Sequence, residues 1–287
     1  MGVGLIGGSV GKALRARGLA KHVVGVGRDV ARLETARRLG ALDEGGTNAT
    51  AALHNADVVI VCTPVPQVGH DVREAATRGP EHVLVMDVGS TKRSIVEEVE
   101  RDPRAGRVFV GAHPLAGSER QGVEHSTADL FEGRVCVLTP TPNSDPERLP
   151  RAREFWAALG CELVEMTPAV HDQALALTSH LPHVTAAALA AAVPVSLLHL
   201  AAGAYRDGTR VAGADAALWA GILRDNRLSV LEALDQFEAV LREFRQALTS
   251  DDLLALTAWW QSARERRHAF DQLQSHASPD RAREPSP

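Results

Sequence analysis

The sequence predicts an α/β protein, with a doubly wound parallel sheet in the first half and an all-helical second half. Three observations carry this expectation. Val-rich apolar runs alternate with helical patterns to about residue 165, a glycine-rich turn opens the first helix, and strand signals vanish after Pro168. Strands covered on both faces read as continuous apolar runs, and their alternation with helices is what a parallel sheet requires.

The strands are expected at 23–26, 58–62, 83–88, 107–112 and 135–139, each rich in Val and bounded by Gly, Pro, Asp or Asn. Helical patterns lie between them at 10–18, 30–39 and 92–100. A helix over 146–159 and a strand over 162–165 close this domain, which is assigned residues 1–167. Long Ala/Leu-rich segments follow, with amphipathic helices over 218–248 and 251–274, so residues 168–275 are assigned to a helical domain. Residues 276–287 are polar and hold three prolines, which predicts a disordered tail.

At 287 residues the chain is long enough for two ordinary domains, and 45% hydrophobic content can fill their cores. A net charge of −5 gives no basic excess, so neither nucleic acid nor an anionic membrane is an expected partner. The richest apolar stretch, 186–204, is broken by Pro194, Ser196 and His199, and no span of a bilayer is expected. No basic-then-apolar leader pattern is read at the start, so secretion is not expected. Cys62, Cys136 and Cys161 are odd in number and scattered, which fits a reducing compartment, and the expected location is the cytoplasm.

Gly2-Val3-Gly4-Leu5-Ile6-Gly7 is a G-x-G-x-x-G run leading into a helix. Such glycines make a tight turn, let the backbone approach a pyrophosphate and allow close helix–strand packing, while the helix N-terminus favours the anion. The candidate cofactor residues are therefore Gly2, Gly4, Leu5, Ile6 and Gly7, and the cofactor is NAD or NADP, in a Rossmann-type domain. At the end of the next strand, Val24-Gly25-Val26-Gly27-Arg28-Asp29 places Gly27 where an acid would hold the ribose of NAD. Arg28 can pair with the 2′-phosphate of NADP, or simply be solvated while Asp29 caps the following helix. Thr63 and Pro64 end a later strand and are expected to line the same crevice. One feature is unusual: Met1 abuts the glycine turn, whereas this fold needs a first strand feeding it. The expectation is that Met1 is a misplaced start and that the strand lies upstream, which translation of the preceding codons tests.

Two further loops follow strands and should open on that crevice: Asp87-Val88-Gly89-Ser90-Thr91-Lys92, and the segment from Gly111 to Glu119 that contains His113. A histidine there can serve as base near neutral pH. In the helical half, Ser179-His180-Leu181-Pro182-His183 sets two histidines on one helix face. Without a third ligand at useful spacing, they are expected to face substrate or to be structural, not to hold a metal. Gly203, Tyr205, Arg206, Asp207, Arg210 and Trp219 follow. Arg210 can clamp a carboxylate, or pair with Asp207 at the surface.

In order along the chain, G-x-G-L-I-G-G-S, D-x-G-S-x-K, G-x-H-P-x-A-G-S-E, S-H-L-P-H and Y-R-D-x-T-R resemble the motifs of the prephenate dehydrogenase family. The likeness runs from Gly2 to about Phe270. It implies oxidative decarboxylation of prephenate in tyrosine biosynthesis, with arogenate as the rival substrate, and a helical domain that builds a homodimer. It implies that His113 polarises the ring hydroxyl and that Ser90 assists there. Arg210 would bind a carboxylate, and His183, Gly203 and Trp219 would line the substrate site, with Asp207 holding its shape. A β-hydroxyacid dehydrogenase shares the two-domain plan but relies on a helical lysine, and no lysine follows Lys92. A non-catalytic nucleotide-binding protein is the remaining alternative.

Overall fold

The computed structural model describes residues 1–117 and 120–277. They form two compact units, one spanning Met1–Val230 and one beginning at Leu231.

In the first unit, α1 (Leu5–Ala16) is followed by β1 (Val24–Val26), α2 (Val30–Arg38), β2 (Glu44–Gly46), α3 (Ala49–Leu53) and β3 (Val58–Val61). Then come α4 (Val65–Arg78), β4 (Leu84–Asp87), α5 (Arg93–Val99), α6 (Pro103–Val108) and β5 (Phe109–Pro114). The sheet part closes with β6 (Val135–Thr139), α7 (Arg148–Ala158) and β7 (Glu162–Glu165). Strands β1 and β2 pair in parallel, and β3 to β7 form a five-stranded sheet in sequence order. Residues Met1 and Gly2 lie in the seam between the two sheets. The Met1 amino group donates to the Ile60 carbonyl at 2.6 Å, Cys62 N–H donates to the Met1 carbonyl at 2.7 Å, and Gly2 N–H donates to the Val26 carbonyl at 2.8 Å. The seam thus occupies the position of the central strand in a doubly wound sheet, and the chain reverses its winding there.

The sheet is buried on both sides. Val68, Val72, Val85 and Ile95 belong to one core cluster, while Val10, Met86, Phe131 and Trp156 belong to another. Trp156 is fully buried and meets Phe131 and Phe155 edge to face at 5.6 and 5.3 Å. Helix ends follow their capping residues. Asp29 accepts from Ala31 N–H at 2.9 Å to start α2, and Asp102, ahead of Pro103, does the same for α6.

Three expectations need correction. The sheet is not wholly parallel, because β6 runs antiparallel to β5. Only a short 3₁₀ turn, Val123–His125, lies between these strands among the described residues, so no crossover helix carries the chain back to a parallel start. The strand expected from residue 107 begins at Phe109, since Pro103 starts a helix that runs to Val108. The helix expected over 218–248 is two, α11 (Ala216–Asp225) and α12 (Arg227–Thr249), broken at Asn226.

The helical part begins with α8 (Pro168–Leu175), capped by Thr167. A π turn, Ala176–His180, joins it directly to α9 (Leu181–Ala192), and α10 (Gly203–Thr209) follows before α11. Pro182 falls in the first turn of α9, and the wider π turn before it absorbs the proline, with Leu181 N–H reaching back to the Ala176 carbonyl. The result is a continuous run, Pro168–Ala192, that is long and apolar enough to cross a membrane, which the sequence expectation did not foresee. It nevertheless carries His171, Asp172 and His180, all buried within the unit.

In the second unit, α12 and α13 (Leu253–Ala277) pack through Trp259, whose ring lies 5.0 Å from Phe244 and whose N–H donates to the Val240 carbonyl at 3.3 Å. Asp251, in the turn between them, has φ of 50°, and Asp252 caps α13 by accepting from Ala255 N–H at 2.9 Å. Helix α13 runs two residues into the span expected to be a disordered tail, and the rest of that tail lies outside the described residues.

Candidate active site

The glycine turn has the geometry its spacing predicts. Gly2 takes a φ of +82°, and a Cβ there would stand 2.8 Å from the Cys62 carbonyl. A Cβ on Gly7 would lie 2.1 Å from the Gly2 carbonyl oxygen, so the helix closes on the turn only because Gly7 has no side chain. The space above Gly4 is open to 4 Å. Gly4 caps the start of α1 with no side-chain hydrogen bond and no acidic residue follows in the first turn, so the N–H groups of Leu5 and Ile6 have no partner among the described residues. These residues fit a dinucleotide pyrophosphate. Thr63 and Pro64 stand beside Gly2 at the carboxyl end of β3, with the Thr63 hydroxyl donating to Asp71 at 2.6 Å. Gly27 ends the neighbouring strand, and Asp29 is committed to capping α2. Arg28 is exposed and has no hydrogen-bond partner among the described residues.

His113 sits near the end of β5, partly exposed. Its Nδ1 lies 2.8 Å from Nε2 of His171, and Nδ1 of His171 lies 2.8 Å from Asp172 Oδ1. The Asp172 carboxylate also accepts the backbone N–H groups of Lys92 at 2.8 Å and Arg93 at 3.0 Å. Lys92 itself is fully buried in an ion pair with Asp87, whose other oxygen accepts from Ala112 N–H at 3.0 Å. The D-x-G-S-x-K loop is therefore fixed from both ends, and it holds Ser90 half-buried between them. No hydrogen bond joins Ser90 to His113 among the described residues.

Burial is the main reason that His113 binds a proton far less readily than an ordinary histidine, and electrostatic repulsion from His171, Lys92 and His180 as they gain or carry a proton adds to it. Burial likewise lowers His171, and it lowers His180 to about 4. Burial acts to raise Asp172, but its hydrogen bonds from His171, Arg93 and Lys92 hold it below the usual carboxylate range.

The helical half extends this cluster. Asn226 donates to the Asp172 carbonyl at 2.7 Å, and its amide nitrogen lies 3.2 Å from His180 Nδ1. His180 meets Trp219 edge-on at 6.0 Å, and His183 stacks on Trp219 at 3.6 Å. Nδ1 of His183 donates to the Ser179 carbonyl at 2.8 Å. His113, His171, Asp172, His180, Asn226, Trp219 and His183 thus form one contiguous group.

Gly203, Asp207 and Arg210 lie outside it, on α10 and the turn that follows, which packs on α9. Asp207 is exposed and pairs with Arg206 at 3.5 Å, so the surface bridge to Arg210 weighed from the sequence does not form. Arg210 is exposed. Ser118 and Glu119, from the motif around His113, lie outside the described residues. Sequence reasoning missed His171, Asp172 and Asn226. The available signal was an adjacent His-Asp pair in the second turn of an apolar helix, just past its Thr-Pro cap.

Residues 10–165 match the family model for the prephenate dehydrogenase nucleotide-binding domain, and residues 167–262 match that for the prephenate dehydrogenase dimerization domain. The prephenate dehydrogenase of Bacillus subtilis is 31% identical over 285 residues, covering 97% of this chain and 77% of the relative. The cyclohexadienyl dehydrogenase of Zymomonas mobilis is 32% identical, covering 88% of each. Among solved structures, Aquifex aeolicus prephenate dehydrogenase, in complex with hydroxyphenyl propionate and NAD+, superposes with a TM-score of 0.86. It is 30% identical, and the match covers 94% of this chain and 96% of that one. Synechocystis arogenate dehydrogenase gives 0.82 at 30% identity, covering 94% and 98%. With a glycine cradle and a buried histidine group joined in one fold, and the two family domains matched over residues 10–165 and 167–262, the chain belongs to the prephenate dehydrogenase family of NAD(P)-dependent oxidoreductases.

Proposed function

We propose that the protein converts prephenate to 4-hydroxyphenylpyruvate by oxidative decarboxylation, as a homodimer acting in the cytoplasm. The observation that carries this reading is His113, an uncharged histidine held at the carboxyl end of β5 in the sheet that bears the dinucleotide cradle. Residues 1–167 hold the cofactor, and residues 168–275 provide substrate contacts and the dimer face.

The bound nicotinamide accepts a hydride from the substrate. His113 accepts the hydroxyl proton as the ring carbonyl forms, and Ser90 orients that hydroxyl from the facing loop. Arg210 binds a substrate carboxylate, while His183 and Trp219, stacked together, shape the ring site, with Gly203 lining it and Asp207 holding its shape from outside the histidine group. Loss of the ring carboxylate as carbon dioxide is driven by aromatisation. Gly27 in place of an acid, Asp29 engaged in its cap and Arg28 unpartnered favour NADP over NAD.

Reduced-cofactor absorbance tests the reading with prephenate or arogenate, each paired with NAD or NADP. Turnover of prephenate with NADP is expected. Turnover of arogenate alone would move the substrate assignment. No turnover by folded protein that binds cofactor would overturn the proposal and favour a non-catalytic nucleotide-binding role.

A further inference from the structure

We propose that His171 and Asp172 are positioning residues for His113: they hold its proton on Nδ1 and leave the Nε2 lone pair open as the acceptor of the substrate's hydroxyl proton. The role assigned to that lone pair rests on the function proposed above, whereas the proton placement rests on geometry alone.

The assignment proceeds outward from Asp172. A carboxylate only accepts hydrogen bonds, so the 2.8 Å contact requires His171 to carry its hydrogen on Nδ1. His171 has no solvent-exposed surface, and burial disfavours a second proton on the ring. Its Nε2 is therefore an acceptor. The only hydrogen available for the 2.8 Å contact with His113 is one on His113 Nδ1. A neutral His113 so bonded has its lone pair on Nε2. The anchor is rigid, because both Asp172 oxygens accept backbone N–H groups at the start of α5, and its carbonyl is held by Asn226.

The order of donors matches what the reaction needs. As the substrate's O–H bond breaks, its electron pair becomes the new C=O bond and its proton forms a bond to Nε2. The hydride from the same carbon passes to the oxidised nicotinamide. The resulting imidazolium keeps its Nδ1–H bond to His171, and the negative charge of Asp172 stabilises it through that ring. With the opposite tautomer, His113 would present a hydrogen to the hydroxyl and could not accept its proton.

Two-bond ¹⁵N–¹H spectra of the intact protein, labelled in histidine and with His113 assigned by its loss in His113→Asn, read this directly. An Nδ1–H, Nε2-unprotonated pattern at pH 7.5 is expected, and an Nε2–H pattern in the wild type would overturn the proposal without any engineered change at His171. In His171→Phe, the pattern should shift toward Nε2–H, and kcat should fall by about a hundredfold to ten-thousandfold with little change in cofactor Kd. His171→Gln, which can donate to Asp172 and accept from His113 at once, should recover part of that loss. Equal loss in both variants, with the His113 pattern unmoved, would reduce His171 to a packing role and overturn the proposal. The spectra need no substrate, so a protein inactive on prephenate and arogenate but showing the Nδ1–H pattern would remove the proposed reaction and leave the proton placement standing.

Discussion

The side-chain amide nitrogen of Asn226 lies 3.2 Å from Nδ1 of His180 while donating at 2.7 Å to the Asp172 carbonyl. One buried amide thus ties the break between α11 and α12 to two points of the helix that carries the histidines. Asn226→Leu should leave a buried carbonyl and a buried ring nitrogen unpartnered, at a cost of about 1–3 kcal/mol. Calorimetry should show a Tm lower by several degrees, and an unchanged Tm would mean that water or a rotated side chain replaces these bonds.

His113→Asn should lower kcat by about a hundredfold or more, because the proton acceptor is lost, while NAD(P) affinity changes little. Steady-state kinetics with parallel cofactor titration separates the two. Comparable losses in both would point to damage to the end of β5 instead of to chemistry.

Arg210→Gln should act mainly on the KM for prephenate, raising it by about tenfold to a hundredfold, the range for losing a hydrogen-bonded charge on a carboxylate. Arg210 is exposed and outside the histidine group, so the fold should tolerate the change. A KM equal to that of the wild type would remove Arg210 from the substrate site.

Acid should destabilise the protein in two stages. His113, His171 and His180 all hold protons less readily when folded than the 6.5 of a free histidine, chiefly through burial. Their unfolded forms therefore gain protons first as pH falls, and stability present above about 6.5 is lost below it, for His180 down to about 4. Asp172, lowered from 3.8, adds a further loss as pH falls below that value toward its folded pKa. Thermal melts from pH 8 to pH 4 should hold steady and then decline from about 6.5. A Tm that stayed flat to pH 4.5 would show these histidines protonated at no cost.

Much of this was legible in the sequence, for identifiable reasons. The glycine turn could be read because two of its positions, Gly2 and Gly7, answer a steric demand that only glycine meets. His113 stands out because it closes an apolar strand just before Pro114 and a second strand-end loop carries Ser90. The direction of β6 could not be read from its own residues, since an apolar run looks the same either way. That information lay in the residues between β5 and β6, where helical periodicity is missing. His171 and Asp172 were hidden by their helix, whose apolar neighbours suggested only a core. Asn226 was hidden because the amphipathic pattern continues on both sides of it, although Asp225-Asn226-Arg227 is a poor helix interior.

The π turn at Ala176–His180 works as a phase shifter. At 3.6 residues per turn, His183 would sit roughly 120° around the axis from His171 in an unbroken α-helix. A π turn takes up about one residue, and removing one from the count brings the two to within roughly 20° of the same heading. Helical periodicity counted straight through Pro182 therefore assigns His171 and His183 to different faces, whereas the folded helix aims both at one site. Straightening the π turn into regular α-helix at constant length would turn everything beyond it, His183 included, by about a quarter of a revolution, whereas deleting a single residue between Ala176 and His180 would restore a regular helix with His183 on its present heading. The width of one turn is here as much a functional parameter as residue identity.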